Sequence, residues 1–498
     1  MLILFRSSQK RTRFLVADDC HPQIIDVLKT RAKPIGIKIK IQPADQFEFN
    51  NDVFGILIQY PTTDGKVFDF SDLCENAHDQ GILVAVATDL LSLAILPSPG
   101  ELGADVAVGN SQRFGVPLGF GGPHAAFIAA KEELKRKMPG RIIGVSIDSH
   151  GNRALRMALQ TREQHIRRDR ATSNICTAQV LLAVMAGMYA VYHGAEGIRA
   201  IANQIHQKAK ALAATLTKAG HTVVHDQFFD TIRIKLNENG FNDIQRKAEK
   251  NKLNFRYFDN GDVGLSLDET VLPDDVNDIL SIFEAKKIDA TNEYNLKNTR
   301  SSKYLTHNVF NTYHTETEMM RYLHRLETKD LTLNTSMIAL GSCTMKLNAA
   351  VEMMPITWPE FAHLHPFAPS NQTQGYHELG QTLSKWLMDI TGLQGCSLQP
   401  NSGAQGEYTG LLVIQAYHHD RGDTNRNICL IPASAHGTNP ASAVMAGMDV
   451  VVIQCDENGN IDVDDLKSKT KQYSESLAAI MVTYPSTHGV FEESIGEV

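Results

Sequence analysis

The sequence ILIQYPTTDG at residues 56–65 returns near the other end of the chain as IMVTYPSTHG at residues 480–489. The tyrosines of the two stretches lie 424 residues apart, since 484 minus 60 is 424. A second pair precedes them, with FLVADDCHP at residues 14–22 resembling LIPASAHGT at residues 430–438, and the histidines of the two stretches lie 415 residues apart, since 436 minus 21 is 415. Each match is an apolar run followed by a polar turn, and both pairs occur in the same order. This pattern predicts a duplicated domain rather than a solenoid of short repeats.

Each copy is predicted to alternate strands with helices. In the first copy, apolar runs at residues 14–16, 54–58 and 82–87 alternate with helical patterns such as residues 22–32 and 71–80. Short apolar runs bounded by polar residues, Gly or Pro are typical of buried parallel strands. The strands predicted for the second copy lie at residues 395–398, 428–431, 449–453 and 478–483. The sequence therefore predicts two doubly wound α/β layers.

The order of these segments divides the chain into four predicted parts. They are the large α/β domain of the first copy at residues 1–190, a small α+β domain at 191–285, a polar connector at 286–335, and the start of the second large α/β domain at 336–498. A long helical stretch at residues 178–214 is predicted to lead from the large domain into the small one.

The composition is that of an ordinary soluble globular protein and excludes several classes. Hydrophobic residues make up 43% of the 498 residues, charged residues 21%, and the formal net charge is −8. A negative net charge argues against a general nucleic-acid binder, and no apolar run is long enough to span a bilayer. The seven cysteines form no CxxC pair. An odd number of cysteines without such pairs predicts reduced thiols in a cytosol-like compartment and no zinc site.

The first copy continues into a segment with the layout of a degenerate cofactor site. A predicted strand ends in Asp89, Arg113 stands before Phe114, and a glycine run follows at residues 119–123. In type I pyridoxal-phosphate enzymes such an Asp meets the pyridine nitrogen, and a Lys in the later position forms an imine with the aldehyde. Arg113 occupies that Lys position, and a guanidinium stays protonated and cannot attack an aldehyde. The first copy is therefore predicted to be non-catalytic; the alternative is a helix cap at Asp89 and an ordinary glycine turn.

The second copy supplies a candidate phosphate site and a candidate ring partner. The loop at residues 399–408 contains Ser402, Gly403, Ala404 and Gln405 and precedes an apolar helix. Small residues at a helix N-terminus expose backbone N–H groups that bind phosphate, although the same residues also serve as ordinary caps. His436 follows the next strand, where ligands of open α/β sheets bind. It is a candidate for stacking on a cofactor ring, with a capping or core histidine as the alternative.

The stretch GSCTMKLN at residues 341–348 mixes polar and apolar residues without a period. It is a candidate substrate-recognition loop in which Lys346 faces a carboxylate, and an ordinary surface turn is the alternative. Lys346 is a poor candidate for the imine-forming lysine, because it precedes the phosphate loop whereas the layout places that lysine far downstream.

Taken together, these segments resemble the P-protein of the glycine cleavage system, the decarboxylating glycine dehydrogenase. The resemblance covers essentially the whole chain. Its most specific stretches are residues 111–117, 160–168, 340–348, 399–408 and 434–442. The family implies a tandem pseudo-dimer of two type I folds in one chain, in which only the second is catalytic, and this agrees with Arg113.

The resemblance also implies a cofactor, a reaction and partners. The cofactor is pyridoxal 5'-phosphate, with its phosphate on Ser402 to Gln405, His436 on the ring and Thr483 near the ring hydroxyl. Thr344, Lys346 and Asn348 are tentative substrate contacts, and no metal is expected. The reaction is decarboxylation of glycine with transfer of the aminomethyl group to the lipoyl group of the H-protein. The intact enzyme is expected to be a homodimer that works with the other glycine cleavage system components, without nucleic acid or membrane.

The offset between the copies predicts where the missing catalytic residues of the second copy would lie. The pyridine-facing Asp of the second copy would fall near position 513 (89 plus 424) and the imine lysine near 537 (113 plus 424), both past Val498. The phosphate loop of the first copy would fall before Met1. The chain is therefore expected to be a fragment, truncated at both ends and inactive alone. Alternatives are a non-enzymatic paralogue or regulatory scaffold of the same fold, and another type I enzyme such as a cysteine desulfurase relative. A bacterial cytosol is the expected location, or the mitochondrial matrix if the source is eukaryotic.

Overall fold

The computed structural model describes residues 1–8, 11–167, 179–286, 294–329 and 349–498. The strands are β1 (Arg13–Ala17), β2 (Lys38–Gln42), β3 (Val53–Tyr60), β4 (Leu83–Thr88), β5 (Val106–Asn110), β6 (Ala126–Ala130), β7 (Ile142–Ile147), β8 (Arg153–Ala158), β9 (Thr222–Val223), β10 (Thr231–Lys235), β11 (Arg256–Tyr257), β12 (Val263–Ser266), β13 (Ile428–Pro432), β14 (Asp449–Ile453) and β15 (Leu477–Ile480). The helices are α1 (Leu2–Phe5), α2 (Pro22–Ala32), α3 (Ser71–Asp79), α4 (Gln164–Arg167), α5 (Val180–Lys218), α6 (Glu238–Lys250), α7 (Pro273–Ile282), α8 (Glu316–Glu327), α9 (Ala350–Met353), α10 (Pro359–Ala362), α11 (Gln374–Thr391), α12 (Gly403–Asp420), α13 (Thr438–Met445) and α14 (Val463–Gln472).

The first sheet has six strands in the order β2-β1-β3-β4-β5-β6. Its first five strands are parallel, and β6 runs antiparallel to β5. Every residue of β3 is buried, which explains its almost continuous apolar sequence with Gln59 as the one strongly polar residue, because a parallel strand covered on both faces has no polar side. The helix α2 begins with Pro22 at its first position, where the missing N–H of proline costs no hydrogen bond. The predicted doubly wound layer is confirmed.

The second sheet repeats the arrangement of the first. Its order is β14-β13-β15, all parallel, which matches β2-β1-β3. The pairing of β1 with β3 shifts by one residue between Arg13 and Phe14, and the pairing of β13 with β15 shifts between Ile428 and Cys429. Because 428 minus 13 is 415, the irregularity falls at the offset seen in the sequence. Matching order, direction and register are what a duplicated domain predicts.

A smaller antiparallel sheet, β11-β12-β10-β9, lies beside helices α6 and α7. The 39-residue α5 leads to it and leaves helical geometry at Gly194, with φ 62° and ψ −176°. The strands β7 and β8 form a separate two-stranded ribbon. The elements fit the small α+β domain expected here, and the domain boundaries at residues 190, 285 and 335 stay a prediction.

The strand predicted at residues 395–398 is wrong. These residues are exposed and have no regular secondary structure in the described part of the chain. Apolar and small residues such as Leu398 gave a strand-like pattern, but a strand forms only where a neighbour supplies hydrogen bonds and burial. The polar connector contains α8, which is capped by the Thr315 side chain through the N–H of Glu318. No helix of the described residues is long and apolar enough to cross a membrane.

Candidate functional site

In the first copy, the structure brings Asp89 and Arg113 together as the layout predicted. Nη1 of Arg113 lies 3.3 Å from Oδ2 of Asp89, just past the end of β4. The same nitrogen lies 2.6 Å from Oδ2 of Asp230, which immediately precedes β10 of the small sheet. The guanidinium therefore joins the carboxyl edge of the large sheet to the small domain. It occupies the place that the sequence assigned to an amine nucleophile.

The charges of this cluster hold Arg113 as a cation. Burial alone would lower the pKa of its guanidinium, but the charges of Asp89 and Asp230 outweigh burial and raise that pKa above its usual range. Burial also raises the pKa of Asp89; Arg113 opposes that shift while Asp230 reinforces it. One guanidinium faces two carboxylates, so a proton-accepting amine is absent where the predicted chemistry would need one.

Packing fixes the position of this arginine. Its guanidinium carbon lies 5.9 Å from the ring centre of Phe229. The neighbouring Phe114 packs against Tyr189, whose hydroxyl donates a 2.6 Å hydrogen bond to Glu269. Nη2 of Arg113 is buried without a hydrogen-bond partner among the described residues. The cluster is a filled site rather than an open pocket.

In the second copy, Ser402 to Gln405 form the N-terminal turn of α12. Ser402 is the N-cap, and its hydroxyl accepts a 3.3 Å hydrogen bond from the N–H of Gln405. The first N–H groups of a helix have no partner within the helix, and the helix dipole adds positive potential there. A Cβ placed on Gly403 or Gly406 would meet nothing within 4 Å, so the space around the turn is open. These features fit a phosphate group.

A hydrogen-bonded chain connects this turn to His436. The carboxylate of Glu407 accepts hydrogen bonds of 3.1 Å from the hydroxyls of Thr438 and Ser442 on α13. Nδ1 of His436 accepts from the backbone N–H of Thr438 at 3.2 Å and lies 2.9 Å from the Thr438 hydroxyl. His436 itself is exposed. Glu407 therefore holds the start of α12 against the start of α13, where the imidazole stands.

Thr483 follows β15 and lies at the same edge of the sheet. Its hydroxyl donates to Oδ1 of Asn439 at 3.2 Å, and Asn439 follows Thr438 in α13. Further along the same loop, the hydroxyl of Thr487 donates to the backbone carbonyl of Ser434 at 2.6 Å. A small cavity at this edge is lined by Ser434, Thr483 and Ser486, among others. The structure thus gathers the predicted turn, the imidazole and the threonine at the carboxyl edge of one sheet.

The equivalent edge of the first copy has different chemistry. A cleft of about 620 Å³ lies there, with Asp19, Asp64 and Arg256 among its lining residues. By the 415 offset His21 corresponds to His436, and its Nδ1 lies 2.8 Å from the Thr63 hydroxyl. Burial, then the charges of Asp18 and Asp64, raise the pKa of Asp19 to about 6. By the same offset Asp19 stands where the second copy has the neutral Ser434, so the two edges differ in charge.

Three predicted site residues cannot be located, and two residues of the candidate sites were not predicted from the sequence. Thr344, Lys346 and Asn348 are outside the described residues, so their substrate contacts stay a prediction. Sequence reasoning missed Asp230, because its partner is 117 residues away and no local pattern marks it. It also missed the role of Glu407. The signal for Glu407 was present, since it is a single acid in the first turns of an otherwise neutral helix start.

The chain matches a protein-family model and curated proteins. The model "Glycine cleavage system P-protein" matches residues 1–283. A protein of Nostoc sp. called glycine dehydrogenase (decarboxylating) is 59% identical over 506 residues, which cover 99% of this chain and 52% of that protein. A Dictyostelium discoideum protein called glycine dehydrogenase (decarboxylating), mitochondrial, is 52% identical, covering 100% of this chain and 52% of its own length. The chain spans about half the length of the curated relatives it matches.

A solved structure supports the same relationship. A crystal structure of glycine decarboxylase (P-protein) of the glycine cleavage system, in inhibitor-bound form, is 30% identical with a TM-score of 0.52. The match covers 57% of this chain and 67% of that one.

Proposed function

This chain belongs to the glycine cleavage system P-protein family, and we propose on that premise that it serves pyridoxal-phosphate-dependent glycine decarboxylation. In this reaction CO2 is released and the aminomethyl group passes to the lipoyl group of the H-protein. The observation that carries the proposal is the shared edge in the second copy. There the open turn at Ser402, the imidazole of His436 and the hydroxyl of Thr483 lie within one hydrogen-bonded assembly.

The chain's own residues would bind and orient the cofactor. The backbone N–H groups of the turn from Ser402 to Gln405 would hold the phosphate, which would share the N–H of Gln405 with the Ser402 hydroxyl. His436 would lie against the ring, and Thr483 would face its hydroxyl edge. Pyridoxal 5'-phosphate, when bound, supplies the electron sink that makes loss of CO2 from an amino acid feasible. Among the described residues, no three or more His, Cys, Asp and Glu side chains are grouped so that they could hold a metal ion.

We assign no nucleophilic amine to the first copy. Arg113 is held as a cation by two carboxylates at the equivalent position, so it neither attacks an aldehyde nor exchanges a proton near neutral pH. The role of the first copy is therefore structural with respect to the chemistry. The proposed partners are glycine, the lipoylated H-protein and a second copy of the intact enzyme. The proposed location is the bacterial cytosol, or the mitochondrial matrix if the source is eukaryotic.

A cap substitution tests the phosphate assignment. Ser402→Ala removes the N-cap of α12, and Thr315→Ala removes the same kind of cap from α8. Each variant should lose about 1 kcal/mol of stability. Only Ser402→Ala should weaken the binding of pyridoxal 5'-phosphate, measured by fluorescence titration, by roughly fivefold or more. Equal affinities for the two variants would refute the assignment of the phosphate to this turn.

A further inference from the structure

The first copy contacts the proposed phosphate turn of the second copy on two sides. Before the turn, Nε2 of Gln179 donates a 3.3 Å hydrogen bond to the backbone carbonyl of Asn401, one residue ahead of the N-cap. After the turn, the guanidinium carbon of Arg31 lies 4.3 Å from the ring centre of Tyr408. Arg31 belongs to α2 and Gln179 precedes α5, so both belong to the first half of the chain.

The contact between Arg31 and Tyr408 can fix the position of α12 relative to α2. Tyr408 is only 5% exposed and belongs to the core of the second copy with Leu411 and Cys429. Burial raises the pKa of its hydroxyl, which therefore stays neutral beside the cation. A guanidinium over an aromatic face is attracted more strongly as water is excluded. Arg31 thus contacts α12 through Tyr408, whose own side chain packs in the core of the second copy.

A third contact supports the same junction. Gly447, in the turn after α13, has φ +80°, and a Cβ there would lie 2.3 Å from the carbonyl oxygen of Pro34. The same Cβ would lie 3.0 Å from Nε2 of Gln415 on α12. The chain just after α2 therefore lies close to the turn after α13, and Gln415 of α12 lies close to the same turn. The two helices that carry the proposed cofactor residues both meet the first copy here.

We propose that the non-catalytic copy positions the cofactor-binding turn of the other copy, with Arg31 and Gln179 as positioning residues. The inference rests on the proposed function, because it assigns these residues to the same phosphate site. Arg31 acts through Tyr408 and Gln179 acts through Asn401; neither touches the cofactor. The first copy thereby stabilises the position of a cofactor-binding turn that belongs to the second copy.

The test compares Arg31→Gln, which removes the charge at similar length, with Arg31→Lys, which keeps it. Lys29→Gln is the control, since it removes a cation from the same helix at an exposed pair with Asp26. Hydrogen exchange of residues 403–411 and the Kd for pyridoxal 5'-phosphate are measured on the full chain. Arg31→Gln should raise both the exchange rates and the Kd by about three- to tenfold, as expected for a partly desolvated cation–π contact. Arg31→Lys and Lys29→Gln should stay within about twofold of wild type.

Gln179→Ala provides an independent variant if Arg31→Gln folds poorly, and it should loosen residues 401–405 without affecting the end of α12. Unchanged exchange and affinity in both variants would overturn the inference. A uniform rise in exchange over the whole chain would also overturn it, because Arg31 would then serve global stability only. If the wild-type chain binds no pyridoxal 5'-phosphate, the proposed function fails, while the exchange data still decide whether the first copy orders the turn.

Discussion

At the scale of single residues, Arg113 links two carboxylates that are far apart in the sequence. The sequence placed Arg113 at the lysine position of a cofactor-site layout that begins at Asp89, and that assignment stays a prediction. It did not predict Asp230, whose carboxylate lies 2.6 Å from Nη1 of Arg113 and precedes the small sheet. The guanidinium therefore joins the end of β4 to the start of β10. Removing a side chain that contacts both carboxylates should therefore lower the free energy of unfolding.

Arg113→Ala should destabilise the protein by about 2–4 kcal/mol, because it leaves the carboxylates of Asp89 and Asp230 partly buried without a counter-charge. Urea denaturation measures the change. Arg246→Ala is the control, since its pair with Asp243 is exposed and should contribute less than about 0.5 kcal/mol. A loss for Arg113→Ala as small as that of the control would contradict the account of this cluster.

Asp19→Asn should stabilise the protein at pH 7 but not at pH 4. Its pKa is raised to about 6 when folded, and one carboxylate oxygen is buried without a partner among the described residues. The folded state therefore binds the proton more tightly than the unfolded state, and stability falls as the pH rises from about 4 to about 6. Asparagine removes this dependence, with a gain of about 1–2 kcal/mol at pH 7.

Denaturation midpoints of the two proteins at pH 4 and pH 7 test this prediction. Asp26→Asn is the control, because its side chain is exposed, its pair with Lys29 is weak, and the substitution should change stability little. If Asp19→Asn raised the stability equally at both pH values, burial would not raise the pKa of this carboxyl group.

At the scale of elements, apolar runs predicted most of the strands to within about two residues. β14 lies where the sequence placed it, and β3 extends the predicted run at both ends. Every residue of β3 is buried, so its sequence carries a strong strand signal, whereas β14 is only partly buried and is marked by its run of valines. The strand at residues 395–398 failed because pairing partners cannot be read from a local pattern. For the same reason the sequence indicated the proposed phosphate turn at Ser402 but not the contacts of Glu407, whose partners lie on α13.

Gly65 should tolerate no side chain, because it joins the large sheet to the small one at close approach. It has φ +95°, and a Cβ would lie 2.1 Å from the carbonyl oxygen of Thr231 at the start of β10. Gly220 has nearly the same φ, +93°, and open space around it. Gly220→Ala should cost about 1–2 kcal/mol from backbone strain alone, and Gly65→Ala should cost at least about 2 kcal/mol more from the clash.

The two alanine variants are compared by thermal and urea denaturation. Because they share the same backbone strain, the difference between them isolates the contact between the sheets. Equal losses in stability would show that the approach of Gly65 to Thr231 is unimportant.

At the scale of the whole molecule, the duplication accounts for the features that no single segment explains. The two sheets share strand order, direction and the position of one register shift. Their polar edges have diverged, with a neutral Ser434 where the first copy has Asp19, and an open turn at Ser402 in the second. The sequence could show the repeat because strands and turns recur in order. It could not show how the copies pack together, because that depends on contacts such as Arg31 with Tyr408 between distant segments.

The most direct measurement is a crystal structure of this chain soaked with pyridoxal 5'-phosphate. The account predicts that β1 to β3 superpose on β13 to β15, that the phosphate lies on the N–H groups of Gly403 to Gln405, and that the space between Asp89 and Asp230 stays filled by Arg113. A cofactor bound at Asp89 in the first copy, with none at the start of α12, would contradict it.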